Sequence, residues 1–132
     1  MKNVIIAVIA LFVTVDAFAA SPVQEAKAKE WLSHLRSMHT QSVACNYANK
    51  YELLELGMDF AYMVAGAKDD MDRTIVDMWW TGTSLDIGYK MQSSYDYMRL
   101  NPKDPQVIKL CKQDVIPAVD SVFNVIKTKM KK

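Results

Sequence analysis

The chain has 132 residues, of which 51% are hydrophobic and 23% charged, and its formal net charge is +1. Neither sign of charge dominates, which argues against a protein that binds nucleic acid through an excess of basic residues. The length fits one domain that is large enough to bury a core.

The first 19 residues have the parts of a secretory signal peptide. Lys2 supplies a positive start, residues 4–15 are almost entirely apolar, and Ala17 and Ala19 are small residues at the −3 and −1 positions of a cleavage site. The apolar run is shorter than the roughly 18 residues of a membrane-spanning helix, although an uncleaved anchor is the alternative. We therefore predict a signal peptide at 1–19, cleaved after Ala19 or Ala20. A single helical domain at 20–132 follows, exported to the periplasm or secreted, with no integral membrane segment.

Cys45 and Cys111 are the two cysteines of the chain. Two thiols of a small exported domain usually pair, so we predict a disulfide between them, with two separate buried thiols as the alternative. Together with His34 and His39 they lack the paired ligand spacings of a zinc site. No metal and no cofactor is predicted.

The spacing of apolar residues by three and four, with few Gly and Pro, predicts an all-α fold, a small four- to five-helix bundle. The first helix is predicted to begin after Ser21, the N-cap of a capping box that Gln24 completes, with Pro22 in the first turn. It is expected to run to about Met38.

A second helix is predicted over residues 43–67. Its small residues at intervals of four should let another helix approach closely, beside a stripe of larger apolar residues. The small stripe is Gly57, Ala61 and Ala65, and the larger one is Tyr47, Tyr51, Leu54, Met58 and Tyr62.

The third helical region is predicted over residues 71–100, capped by Asp69 or Asp70. The aspartates at 69, 70 and 72 invite a calcium hypothesis, but a calcium loop needs more ligands and a glycine turn, so they are interpreted as a helix start. The region has one continuous apolar stripe that we expect to be buried: Met71, Ile75, Met78, Gly82, Leu85 and Tyr89. Gly82 and Gly88 mark the expected kink or break.

The last helix is predicted to begin at Pro105, with Asp104 as its cap. Pro117 lies inside its apolar pattern, so a kink is expected near residues 112–114. The pattern itself is Ile108, Cys111, Val115, Val119, Val122, Ile126 and Met130.

The third region is unusually aromatic, with Trp79, Trp80, Tyr89, Tyr95 and Tyr97. These side chains either fill the core or form a surface that binds other proteins. The sequence has no nucleophile elbow, phosphate loop or zinc-protease motif, so we predict a binding protein rather than an enzyme. The expected partners are unfolded clients, one specific toxin or enzyme, or a second copy of the chain.

The segment PQVIKLCKQD, with Val107, Ile108, Cys111 and Lys112, resembles the region around the second cysteine of the HdeA/HdeB periplasmic acid-stress chaperones. That resemblance implies a small helical chaperone with one disulfide, which opens and exposes apolar surface when acid protonates its carboxylates. The segment FAYMVAGAKD, residues 60–69, resembles a glycine-containing helix of the immunity proteins of type VI secretion systems. This second resemblance implies an inhibitor that blocks a toxin in the periplasm.

Overall fold

The computed structural model describes residues 21–85 and 89–131, without the side chains of residues 84, 85 and 89–91. The predicted signal peptide, Gly88 and the side chain of Tyr89 lie outside the described residues. Within the described ranges the fold is all-α, as predicted, with five helices and no strand. They are α1 (Pro22–Ala44), α2 (Lys50–Ala65), α3 (Asp70–Leu85), α4 (Tyr89–Leu100) and α5, which consists of Pro105–Leu110, a π-helical turn at Cys111–Val115, and Ile116–Met130.

The start of α1 is confirmed and its predicted end is wrong. The backbone N–H of Gln24 donates to the Ser21 hydroxyl, and the side-chain oxygen of Gln24 accepts the backbone N–H of Ser21. These two hydrogen bonds complete the capping box. The helix continues past Met38 to Ala44, so α2 begins only at Lys50. Polar side chains beyond Met38 bond within the helix; the hydroxyl of Ser42, for example, donates to the Met38 carbonyl at 2.7 Å.

The central helix is α1, which contacts α2, α3, α4 and the last segment of α5. Where α1 meets α2, the predicted small-residue stripe is buried and the two backbones approach closely. A Cβ atom at Gly57 would lie 2.4 Å from Cδ1 of Leu35, and the Trp31 indole donates to the Gly57 carbonyl at 2.8 Å. The predicted larger stripe is wrong in part, since Tyr51 is 73% exposed.

The predicted buried stripe of α3 is also wrong. Asp72 and Val76 face the core, whereas Met71 and Met78 are 73% and 67% exposed. Asp72 can turn inward because its carboxylate accepts the backbone N–H of Lys68 at 2.8 Å and is not left unpaired. Asp69 caps the helix as predicted, accepting the N–H of Asp72.

Within α3, Gly82 lies in the helix and does not mark a break. It is exposed, and a Cβ at this position would meet nothing within 4 Å.

The cap of α5 is confirmed, since the Asp104 carboxylate accepts the N–H of Gln106 at 2.9 Å. The expected irregularity is the π-helical turn at Cys111–Val115. Pro117 explains its position, because proline has no N–H to donate to the preceding turn. The buried face includes Phe123, which the predicted stripe omitted and which is 1% exposed.

The predicted disulfide is confirmed, with 5.5 Å between the Cα atoms of Cys45 and Cys111. It does not join the start of the second helix to the last one, since Cys45 is the C-cap of α1. It therefore ties the end of the central helix to the π-helical turn of α5.

Candidate functional site

The predicted aromatic surface is not one surface. Trp79 and Trp80 are half-buried against α1, and Tyr95 packs beside the disulfide. Tyr97 is 52% exposed, and its hydroxyl donates to Asp104 at 2.6 Å. The side chain of Tyr89 lies outside the described residues.

Basic side chains of α1 cover both tryptophans of α3. The ammonium of Lys29 lies 5.3 Å from the centroid of the Trp79 ring, and the guanidinium of Arg36 lies 3.6 Å from that of Trp80. Such cation–π contacts hold a ring in place while leaving its edge near the surface. Adjacent tryptophans, which point about 100° apart on a helix, are thus both packed against the same neighbouring helix.

An exposed apolar stripe of α3 runs beside α1, and we call this stripe, with the cavity at its end, the methionine groove. Met71, Ile75, Met78 and Gly82 fall within about 60° of one another around α3. At the end of this stripe, Met78 and Gly82 line a cavity of about 440 Å³ whose other walls include Lys29 and Ser33 of α1. Met71 and Ile75 continue the stripe outside the cavity. Because Gly82 has no side chain, it leaves this end of the stripe open.

The opposite flank of α3 is tied to α2. The Tyr62 hydroxyl donates to the Asp77 carboxylate at 2.5 Å. Burial, followed by that hydrogen bond, raises the pKa of Tyr62 to about 12. This flank is therefore occupied by intramolecular contacts, whereas the methionine groove faces away from α2.

A polar cluster lies between α1 and α4, around His39. It borders a cavity of about 240 Å³ that Asp96 and Arg99 of α4 also line. Neither Nδ1 of His39 nor Nε of Arg36 has a hydrogen-bond partner among the described residues. Burial, and then the positive charge of Arg36, lower the pKa of His39.

In the described part of the chain, three tyrosine hydroxyls donate to aspartates on other elements. Besides the Tyr62 and Tyr97 bonds, Tyr47 in the α1–α2 connection donates to Asp120 of α5 at 2.6 Å. The hydrogen bonds from Tyr97 and from the Gln106 N–H lower the pKa of Asp104. The Tyr97–Asp104 link between α4 and α5 therefore depends on pH.

The described residues hold no cluster of three or more histidine, cysteine or acidic side chains placed to bind a metal ion. In the same part of the chain, no helix is both long and apolar enough to cross a bilayer. The methionine groove was missed at the sequence level because its residues were assigned to the core. No sequence pattern indicated that His39 would be partly buried, because its burial depends on packing against α4.

Comparison with known proteins finds no match. No family model, no curated protein and no solved structure is significantly similar to this chain.

Proposed function

We propose that the protein is an exported holdase-type chaperone that binds apolar segments of other proteins in its methionine groove. The observation that carries the proposal is the outward-facing apolar side of α3, where Met71 and Met78 are mostly exposed in a folded, disulfide-linked protein. Methionine side chains are flexible and polarisable, so they adapt to segments of different shape. The disulfide is compatible with an exported protein.

The shape and charge of the groove fit an amphipathic segment. The stripe from Met71 to Gly82 extends along about three turns of α3, which is long enough for the i, i+3, i+4 and i+7 anchors of a docked helix. Lys29 and Ser33 form the α1 side and supply polar contacts for the rim. An amphipathic segment of a partly unfolded protein satisfies both requirements.

Acid is expected to increase binding by loosening the contacts that α4 makes with α1 and with α5, which exposes further apolar surface. The lowered pKa of His39 means that the unfolded chain takes up this proton first, so stability falls as the pH drops below about 6.5. The lowered pKa of Asp104 changes stability in the same direction but at lower pH. Its contribution to stability is present at neutral pH and is lost as the pH falls below about 3.9. The first change acts between α1 and α4, and the second between α4 and α5.

The test is suppression of the aggregation of a denatured client, followed by light scattering at neutral and at acidic pH. Met78→Glu and Met71→Glu place a charge in the groove, and Met63→Glu is the matched control, because Met63 is 51% exposed on α2. Burying one methionine contributes about 1.5–3 kcal/mol, so each groove variant should bind client about ten-fold or more weakly. Equal protection by the groove variants and the control would contradict the proposal.

A specific inhibitor or immunity protein is the second candidate. The observation that favours it is that the groove is already formed in the folded structure, so a single partner could dock at neutral pH without any opening. For this function one partner should bind stoichiometrically at neutral pH, with its affinity concentrated in a few anchors. Titration of a purified candidate toxin decides between the two: tight binding lost in Met78→Glu supports the inhibitor, and protection of unrelated clients supports the chaperone.

A further inference from the structure

A further cavity lies beside the disulfide, away from the methionine groove. It has a volume of about 520 Å³, within the range of small-molecule sites. The end of α1, the end of α4 and the first half of α5 enclose it. Its floor is apolar: Val43, Ala44, Val107, Ile116 and the disulfide.

The mouth of this cavity is cationic. Arg99 of α4 and Lys112 of the π-helical turn both line it. Arg99 lies 3.6 Å from the carboxylate of Asp96, longer than a hydrogen bond, and Lys112 has no acidic partner among the described residues. Among the described residues that line the cavity, Arg99 and Lys112 are the charged ones, so its lining is cationic.

The π-helical turn explains why a charge and an opening occur together here. Such turns insert one extra residue into a helix and are frequent at functional sites. This one places Cys111 against the core and the neighbouring Lys112 at the mouth. Ile108, one turn earlier, is left 50% exposed on the cavity wall, where an apolar ligand would cover it.

We propose that this cavity binds a single-chain amphipathic anion, such as a medium-chain fatty acid, with its apolar chain on the floor and its anionic head between Arg99 and Lys112. Because three elements line the cavity and its apolar residues lie in a concave site rather than on a flat face, a free molecule fits it better than a membrane surface does. This site is separate from the methionine groove, so the inference does not depend on the proposed function.

The test is calorimetric titration of the full disulfide-bonded protein with decanoate below its micelle concentration, at neutral pH. Decanol and decyltrimethylammonium, which share the chain but not the negative charge, are the comparison ligands. We expect decanoate to bind and the cation not to bind. Lys112→Gln and Arg99→Gln should each weaken decanoate about ten-fold, and Lys109→Gln is the matched control, because Lys109 is exposed on the same helix and does not line the cavity.

Ile108→Trp gives an independent check, because a bulky ring at an exposed position should fill the mouth without disturbing the core. It should abolish decanoate binding and leave the helical circular dichroism unchanged. Equal binding of decanoate and decyltrimethylammonium, or unchanged affinity in the Lys112 and Arg99 variants, would overturn the proposal. So would sedimentation with phosphatidylglycerol vesicles without binding of free decanoate. None of these results would alter client protection by the methionine groove.

Discussion

Replacement of Gly57 by alanine tests the packing of the two central helices most sharply. The added methyl would lie 2.4 Å from Cδ1 and 2.8 Å from Cδ2 of Leu35, well inside van der Waals contact. Leu35 is fully buried, so its side chain cannot move aside into solvent. Either the leucine leaves its rotamer or α1 and α2 separate, and separation would also stretch the hydrogen bond from Trp31 to the Gly57 carbonyl.

The expected cost follows from two opposed effects. Overpacking a well-filled core typically costs about 1–3 kcal/mol, whereas replacing glycine by alanine inside a helix gains about 1 kcal/mol. Because the contact is severe and Leu35 is enclosed, we expect Gly57→Ala to lower the free energy of unfolding by about 1–2 kcal/mol. Gly82→Ala is the matched control: it is also helical but meets no atom within 4 Å, so it should stabilise by about 0.5–1 kcal/mol.

Urea unfolding followed by circular dichroism measures both changes. A double variant, Gly57→Ala with Leu35→Ala, gives a further check, because the vacated leucine volume should accept the new methyl and remove its penalty. If Gly57→Ala stabilises the protein as much as Gly82→Ala does, the close approach of α1 and α2 is refuted.

Three other predictions concern the disulfide, the core and pH. Replacing both Cys45 and Cys111 by serine should lower the free energy of unfolding by about 4 kcal/mol, because the bond closes a loop with a sequence separation of 66; an unchanged urea midpoint would contradict this. Phe123→Ala should cost about 3–5 kcal/mol, since the ring is 1% exposed; a loss below about 1 kcal/mol in chemical unfolding would show that the ring is not in the core. His39→Gln should reduce the loss of stability between neutral pH and about pH 5, and His34→Gln, at an exposed position on the same helix, is the control. Equal pH profiles of stability for wild type and His39→Gln would contradict a role for the half-buried His39 in this loss.

The helix starts could be predicted because each depends on residues close in sequence. The capping box at Ser21 and Gln24 and the cap at Asp104 need only a side-chain oxygen and nearby N–H groups. The disulfide could be predicted because Cys45 had only one possible partner within the chain. The end of α1 could not be predicted, because it depends on whether helices distant in sequence bury polar residues such as Ser42.

The face that α3 buries could not be read from periodicity. The sequence pattern correctly identified a stripe through Met71 and Met78, but a stripe does not indicate whether core or solvent covers it. The buried side was decided instead by Asp72, whose carboxylate is satisfied by the Lys68 N–H, and by Trp79 and Trp80 packing on α1. That this region binds other proteins remains a prediction. The residues to be tested are now Met71 and Met78 rather than the aromatic side chains.

The most direct test of the methionine groove is methyl NMR of the protein labelled at its methionine methyl groups. An apolar, amphipathic peptide is titrated at neutral and at mildly acidic pH. We predict that the methyl resonances of Met71 and Met78 shift or broaden together, that those of Met63 do not, and that the midpoint moves to lower peptide concentration as the pH falls. Perturbation of Met63 with no change at Met71 and Met78 would contradict the account.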